Sequence, residues 1–502
     1  MSHLRLLSRR LPGVHDPVAL FAALHAEGRA RMIFRRTGGT AAILCDSAIA
    51  IDAKGNGAEV RVAGAQGAAL LAPLLAPLAA QVVEQDAESA RLSFPPPSED
   101  GDEAERAARP TALHLLRAAA ALAGDGEDDS HALALFTLIG FDHADMVEPI
   151  GVAAPGGPLP DLLARLAETL VVVEPSGSAR VLAIAAVTGQ QGEDHRFLCL
   201  AQEKLGALAA RIDQARAPRL DEAAATTVTT DADDAAFAAT VKALKDNIAA
   251  GDIFQAVPSR AFALPCPDPL AAFRRLVAAD PSAYQYYAQT RHGILFGASP
   301  ENAVHLAPSA DGLRLSVSPI AGTRPRGTTP DEDDRLEAEL RLDTKETAEH
   351  LMLVDLARND VARIARPGTR RVTSLMRVER FARVMHIVST VEGLLPEGGD
   401  LVDAIRACLN VGTLSGAPKL RAIELIRAHE ARQRGFYGGA IGVLGSRGAF
   451  DSAVVIRSAF VTNGMAEVRA GAGVVAHSDP AAEAAETRAK ASAVLAALGA
   501  AA

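Results

Sequence analysis

The chain has 502 residues, 49% hydrophobic and 22% charged, which is ordinary for a folded protein of two to four domains or one large interleaved unit. Its net charge of −10, its lack of Trp, its four Tyr and the absence of long Lys/Arg runs argue against nucleic acid or an anionic membrane as the main partner. Four dispersed cysteines, Cys45, Cys199, Cys266 and Cys408, never form a C-x-x-C, so no disulfide framework or zinc site is expected and a cytoplasmic location fits.

In chain order, the N-terminus is basic but lacks a signal-type apolar core. Residues 16–25 read as a helix and 42–51 as a strand. The uncharged run 63–83 contains Pro73 and Pro77, which favours a packed loop with short helices over a membrane span. The Pro-rich, acidic stretch 93–110 reads as a loop, 161–170 as a helix and 179–187 as a strand. Ala, Thr and Asp dominate 220–234, the composition of a linker. A helical spacing over 237–250 ends at Gly251, after which glycine clusters and alternating apolar runs such as 453–461 take over. Because strands outnumber βα alternation, we expect an α+β fold with large sheets and outer helices. The expected division is an N-terminal domain over 1–219, a linker over 220–236 and a motif-dense C-terminal domain over 237–502.

The run Asp-Thr-Lys-Glu-Thr-Ala-Glu-His at 343–350 contains the pair Glu346 and Glu349, and the spacing recurs as Glu483 and Glu486 with Lys490 four residues on. At (i, i+3) both carboxylates of a pair share one helix face. Two such pairs aimed at one place repel strongly unless a cation lies between them, and an all-oxygen set suits Mg²⁺. Taken alone, Asp343 with Glu346 is a capping box, and an exposed face accounts for Glu349. The second pair, and the apolar Leu351, Leu353, Val354 and Leu356 that would bury the rest of the helix, favour the metal reading.

A turn at Gly322-Thr323 follows the strand-like run 313–318 and lets backbone N–H groups and a hydroxyl approach an anion; a plain turn with surface arginines is the alternative. The segment Gly412-Thr413-Leu414-Ser415-Gly416-Ala417-Pro418-Lys419 precedes a helix at 420–428 and could offer N–H groups to a carboxylate, although its spacing is not that of a Walker A loop. Gly471-Ala472-Gly473 ends a strand, with Arg457 in the strand-like run before it, a sensible carboxylate clamp. His386, flanked by apolar residues, reads as a core histidine.

Together and in this order, these segments resemble anthranilate synthase component I, the large chorismate-binding subunit among the chorismate-utilising enzymes. The resemblance runs from about Gly251 to Lys490 through G-D-I-F-Q-A-V-P-S-R, F-G-A-S-P-E, P-I-A-G-T-R-P-R-G, the 343–360 run, V-M-H, G-T-L-S-G-A-P-K, F-Y-G-G-A-I-G, V-I-R-S-A and G-A-G-V-V. It implies two large, mostly antiparallel sheets packed face to face. It also implies conversion of chorismate and ammonia to anthranilate and pyruvate through aminodeoxyisochorismate, with ammonia from a glutaminase subunit in a hetero-oligomer. By this resemblance Glu349 and Glu486 match first Mg²⁺ ligands, with Glu346 and Glu483 as further ligands or holders of water. Gly322, Thr323, Tyr437, Arg457, Gly471, Ala472, Gly473 and Lys490 match substrate-binding positions. Glu301 matches the general acid for the C4 hydroxyl, His386 the histidine of the elimination step, and Thr413 lies in a matched catalytic segment.

Gln255 stands where water-using relatives resemble one another in having a Lys, and a neutral amide cannot activate water, so ammonia is the expected nucleophile. Ala321 stands where many aminodeoxychorismate synthases carry a nucleophilic Lys, so attack at C2 is expected. The alternatives are an aminodeoxyisochorismate synthase that stops before elimination and a non-catalytic chorismate-binding regulatory subunit. The resemblance also places a tryptophan-sensing region in the N-terminal part. There a Leu-Leu-Glu-Ser segment aligns with Ile33-Phe34-Arg35-Arg36, and a Pro-Tyr-Met segment with Ala283-Tyr284-Gln285. Cations replace an acid, so weak or absent tryptophan inhibition is expected. A further departure lies at Phe136 to Asp142, where the family usually has a Gly-Gly-x-x-Gly-Tyr-Asp type run.

Overall fold

The computed structural model describes residues 3–123, 129, 131–153, 156–380 and 384–500. At its centre, the strand Leu162–Val173 pairs along one edge with Ala41–Lys54. Its other edge pairs first with Ala134–Ile139 and then with Ala179–Ala186. This corrects the helix expected over 161–170. Leu163, Leu166 and Leu170 mimic a helical spacing, but eleven of the strand's twelve residues are buried. A strand covered on both faces carries no alternation to betray it.

From this centre one arm of antiparallel strands runs through Ala134–Ile139, Ala440–Gly445, Phe450–Val454, Asn302–Ser309, Gly312–Val317 and Val384–Leu394. The other runs through Ala41–Lys54, Met32–Arg36, Tyr284–Thr290, Gly293–Ser299, Ser458–Thr462, Met465–Gly471 and Ser259–Pro265. The arms meet across a shared core, with Phe34, Tyr286 and Leu295 from one and Phe136, Leu138 and Ile441 from the other. Helices cover the outside, so the fold is α+β as expected. Strands from either side of residues 220–236 are hydrogen-bonded together: Met32–Arg36 pairs with Tyr284–Thr290, and Ala134–Ile139 with Ala440–Gly445.

Local chemistry explains most element ends. The helix Pro17–Ala26 starts behind Asp16, whose carboxylate accepts from the Ala19 N–H at 2.7 Å. The helix Asp234–Ala250 stops at Gly251, in the left-handed region with φ 84°. Residues 63–83 fold as the helix Gly67–Leu75 followed by the 3-10 turn Ala76–Gln81. No described helix is long and apolar enough to cross a membrane. Three expectations change. A short helix, Glu103–Ala108, interrupts the 93–110 loop through a capping box between Asp102 and Glu105. The 220–234 segment contributes two residues, Thr229–Thr230, to the sheet edge beside Ser259–Pro265. The 453–461 run is not one strand: Phe450–Val454 and Ser458–Thr462 are separated by Arg457 at φ 49°.

Candidate active site

The helix Thr344–Ile364 begins at Asp343, whose carboxylate accepts from the N–H groups of Lys345 and Glu346 at 3.0 and 3.1 Å. Leu353 and Val354 pack inward, but Leu351 is 42% exposed, so only part of the expected apolar face is buried. Glu346 and Glu349 project from the helix's first turns. The second pair, Glu483 and Glu486, lies on the first turns of the helix Pro480–Leu498, behind the cap Asp479. Burial, and then the charges of Glu346, Glu483 and Glu486, push the Glu349 carboxyl up to about 7 despite Lys345. The two pairs therefore lie within electrostatic reach of each other. Glu346 and Glu483 are also raised, chiefly by burial. Burial would raise Glu486 too, but Lys490 outweighs it, and the carboxyl sits below its ordinary value.

Cations hold this acidic cluster together. Lys490 Nζ is 2.6 Å from Glu486 Oε1, Lys345 Nζ is 3.8 Å from Glu349 Oε1, and Arg324 reaches Asp343 at 2.6 Å and Glu346 at 3.5 Å. Among the described residues no group of three or more His, Cys, Asp or Glu stands in metal-holding geometry. The donor chemistry nonetheless fits a hard divalent cation: four carboxylates from two helices, one of them driven towards neutrality by burial and its neighbours.

The strand Ile320–Pro325 brings Gly322 beside the first pair. A Cβ at Gly322, φ 73°, would lie 3.2 Å from Leu340 and Ile387 and 3.3 Å from Glu346 Oε2, so only glycine leaves that approach open. The neighbouring Thr323 hydroxyl is 3.1 Å from His386 Nδ1, and that nitrogen is 3.0 Å from the Gly322 carbonyl. Burial, partly opposed by the Gly322 contact, lowers His386 to about 4. It is therefore neutral at pH 7, and a Nδ1–H donating to Gly322 leaves Nε2 as an acceptor.

Glu301 sits between the strands Gly293–Ser299 and Asn302–Ser309 and is 4% exposed. Its Oε1 accepts from the Thr413 hydroxyl at 2.7 Å. Burial pushes it up to about 7, against the Thr413 hydrogen bond and the Lys490 charge. A half-protonated carboxyl at neutral pH is suited to general acid work. Gln255 lies on the short strand Gln255–Ala256, which pairs with Gly416–Ala417 and so joins the Thr413 loop. It is 6% exposed, and its Oε1 has no hydrogen-bond partner among the described residues.

Gly471, Ala472 and Gly473 close the strand Met465–Gly471 and continue past it. The Gly471 carbonyl accepts from Lys490 Nζ at 3.1 Å, and the Ala472 N–H donates to Pro258. A Cβ at Gly471 would lie 2.7 Å from the Pro258 carbonyl and 3.1 Å from the Tyr437 hydroxyl; one at Gly473 would lie 3.1 Å from Gln255 Nε2. Arg457 donates to the Lys490 carbonyl, and burial lowers its proton affinity. The strand break at Arg457 lets its guanidinium leave the sheet for the Pro480–Leu498 helix. The structure thus forms two linked groups: Glu346, Glu349, Gly322, Thr323 and His386 on one side, and Tyr437, Gly471 to Gly473, Arg457 and Lys490 on the other. Lys490 and Glu301 lie within mutual electrostatic reach.

Sequence reasoning missed three supports. Arg324, a surface arginine in the alternative reading of the Gly-Thr turn, clamps Asp343 and Glu346. Lys419 ties the helix Thr344–Ile364 to the Thr413 loop through Asp360 at 2.9 Å and the Leu409 carbonyl at 3.2 Å. Arg434 and Glu430 form a buried pair beneath Tyr437. The first was visible as an Arg beside the Gly-Thr turn and the third as an (i, i+4) Glu–Arg spacing; the reach of Lys419 to Asp360 has no local signal.

The fold is thus an α+β arrangement of antiparallel strands around a shared core, with the four carboxylates, Arg457 and Lys490 within electrostatic reach of one another. The chain belongs to the chorismate binding enzyme family, whose pattern matches residues 82–496. Within that family it is similar to anthranilate synthase component 1 of Vibrio parahaemolyticus, 40% identical over 100% of this chain and 94% of the relative. It is also similar to the pyocyanine-specific anthranilate synthase component 1 of Pseudomonas aeruginosa, 42% identical over 91% of this chain and 87% of the relative. Among solved structures it is similar to anthranilate synthase component I of Streptococcus pneumoniae, with a TM-score of 0.69 and 27% identity over 91% of this chain and 92% of that one.

Proposed function

We propose that this chain is the chorismate-converting subunit of an anthranilate synthase, forming anthranilate and pyruvate from chorismate and ammonia. The observation that carries this reading is Glu301: a buried carboxyl near pH 7, oriented by Thr413, inside a family that binds chorismate. Hydroxide is a poor leaving group, so the C4 oxygen must take a proton as its bond to carbon breaks. Glu301 supplies that proton, and the C4 oxygen leaves as water. Ammonia bonds to C2 as both ring double bonds shift, from C1–C2 to C1–C6 and from C5–C6 to C4–C5, and the new ammonium then loses one proton to solvent. Gln255 Oε1, which has no hydrogen-bond partner among the described residues, accepts an N–H from the entering ammonia and, as part of a neutral amide, does not deprotonate water.

The resulting aminodeoxyisochorismate loses its C2 proton as the C3–O bond breaks. Enolpyruvate leaves and takes up a proton as pyruvate, and the ring becomes aromatic. We assign His386, whose Nδ1 lies 3.0 Å from the Gly322 carbonyl, as the base for the C2 proton. Arg457, Lys490 and the N–H groups of Gly471 and Gly473 bind carboxylate, the Ala472 N–H being taken by the Pro258 carbonyl. Glu349 and Glu486, with Glu346 and Glu483, would hold Mg²⁺, which when bound neutralises the acidic cluster and screens a substrate carboxylate from it.

Ammonia is proposed to arrive from a separate glutaminase subunit in a hetero-oligomer, in the cytoplasm. Burial raises Cys45, Cys266 and Cys408 above the ordinary thiol value, which is unfavourable for any of these three as a glutaminase nucleophile; the fourth cysteine, Cys199, is exposed. The test is incubation of the purified chain with chorismate, Mg²⁺ and ammonium. Fluorescent anthranilate and pyruvate in equal amounts are expected. An amino product accumulating without pyruvate would assign the chain to aminodeoxyisochorismate synthesis, and binding without turnover to a regulatory subunit.

Tryptophan is expected to inhibit weakly or not at all. The segments 33–36 and 283–285 are neighbours, Arg36 opposite Tyr284 and Arg35 opposite Gln285. Arg35 Nη1 donates to Gln285 Oε1 at 3.0 Å, and the Arg36 guanidinium lies 6.0 Å from the Tyr284 ring centre. At these aligned positions two guanidiniums would disfavour the ammonium of tryptophan, which a carboxylate would bind. Half-inhibition at micromolar tryptophan would overturn this expectation.

A further inference from the structure

Arg434 lies outside the substrate pocket, yet its guanidinium bridges the segments that carry Thr413 and Gln255. Nη1 donates to the Leu414 carbonyl at 2.8 Å, and Nη2 to the Val257 carbonyl at 2.6 Å. Leu414 follows Thr413, whose hydroxyl holds Glu301; Val257 lies two residues beyond Gln255. The same guanidinium is 5.7 Å from the Tyr437 ring centre and 4.4 Å from that of Phe141. Its charge is matched by Glu430, which accepts from Nε at 2.9 Å and Nη2 at 2.6 Å. Glu430 in turn accepts from the Ser259 N–H at 2.7 Å and its hydroxyl at 2.9 Å.

Both Arg434 and Glu430 are buried. A buried ion pair is an inefficient way to stabilise a core, since apolar residues of similar size often do as well. This one spends its donors on two loop carbonyls at the far end of a short ladder between the same loops. That ladder is the strand pair Gln255–Ala256 and Gly416–Ala417, flanked by the Phe254 N–H to the Ala417 carbonyl at 2.7 Å and the Val257 N–H to the Ser415 carbonyl at 3.0 Å; all of these are backbone links, and Arg434 adds the side-chain brace. Only a planar fork can meet two carbonyls and a carboxylate at once.

We propose that Arg434, seated on Glu430, is a positioning residue that fixes the Thr413 loop against the Gln255 strand and so aligns the proton donor with the nucleophile. The inference rests on the chorismate–ammonia reading above. Arg434 touches no reacting atom; it acts through Thr413. A lysine at this position keeps the charge but cannot span both carbonyls, and small misplacements of reacting groups are worth about 100-fold in rate. If the Thr413 loop loosens, Glu301 loses a hydrogen bond that favours its ionised form.

The test is a double-mutant cycle of R434K and T413V, assayed with chorismate, Mg²⁺ and ammonium. R434K is expected to lower kcat by about 10- to 100-fold, with KM for chorismate within about threefold, and to move the alkaline limb of the kcat profile to higher pH. The double variant should be no slower than the slower single variant, because both changes break one linkage. Multiplicative losses in the double variant, a change in KM alone, or lowered thermal stability with kcat intact would each overturn the proposal. Should R434K fail to accumulate, E430Q, which unseats the fork while leaving an acceptor oxygen, carries the same cycle. Wild-type turnover in the same assay separates the outcomes: an inactive wild type refutes the functional reading, whereas an active one with additive variants refutes only the role of Arg434.

Discussion

Replacing Glu301 by Gln is expected to lower turnover by about 10²- to 10⁴-fold, the usual range for removal of a general acid, while making the protein more stable at alkaline pH. Gln keeps an oxygen for the Thr413 hydroxyl and nearly the same volume, so the pocket should be preserved. The stability effect follows from linkage. In the folded chain Glu301 holds its proton up to about pH 7, against 4.5 ordinarily. Its contribution is therefore complete below about pH 4.5 and is lost as the pH rises through 7. Above that, wild type carries an ionised carboxylate in a site built for the neutral acid, a penalty of roughly 3 kcal/mol. The Glu301→Gln protein carries none. Other titrating groups are common to both proteins and cancel in the difference. Chemical denaturation between pH 4.5 and 8.5 should show the variant gaining on wild type across the interval and then levelling off. A stability difference independent of pH would remove the basis for Glu301 as the acid, as would a wild-type kcat that does not fall above pH 7.

Much of this site is readable from local spacing because its chemistry is local. Glu346 with Glu349 and Glu483 with Glu486 share helix faces by periodicity alone, and Gly322 and Gly251 mark backbone that other residues adopt with strain. What the spacing leaves open is whether two distant pairs meet. The answer depends on the Thr344–Ile364 and Pro480–Leu498 helices being set close by a sheet whose strands come from both halves of the chain. The same non-locality explains the errors. Leu162–Val173 is a strand because three neighbours claim its two edges, and nothing in A-R-L-A-E-T-L reports them. The 453–461 run looks continuous because a non-glycine residue at positive φ, here Arg457, leaves no compositional trace. Arg434 was passed over for the same reason: its partners Leu414 and Val257 lie 20 and 177 positions away. Burial, the main cause of the shifts at Glu301 and His386, is also a tertiary property, so residue type could suggest an acid and a base but not their proton affinities.

Glu349→Gln should produce effects of opposite sign with and without magnesium, which makes it the sharpest test of the acidic cluster. Glu349 is held up to about 7 by burial and by Glu346, Glu483 and Glu486, in excess of the relief from Lys345. A carboxyl raised in this way stabilises the fold fully below about pH 4.5 and loses that contribution as the pH passes 7. At pH 8 without divalent cation its charge is therefore a burden, and the Glu349→Gln protein should melt at or above the wild-type temperature. Millimolar Mg²⁺ should then raise the wild-type melting temperature, because a ligand bound only by the folded state stabilises it by mass action. It should leave the variant almost unmoved, since losing a direct ligand weakens affinity by at least the roughly 10- to 100-fold seen when a supporting residue is removed. Turnover at fixed magnesium should fall in step. The melting measurement requires no substrate, so it separates loss of the cation from damage to the chemistry around Glu301. A variant that keeps both wild-type turnover and the wild-type magnesium shift would place the cation elsewhere and leave Glu349 as an acid neutralised only by burial and Lys345. If the variant is instead destabilised at pH 8 without magnesium, the carboxylates do not repel one another as their arrangement requires, and the convergence of the two helices on one cation fails with it.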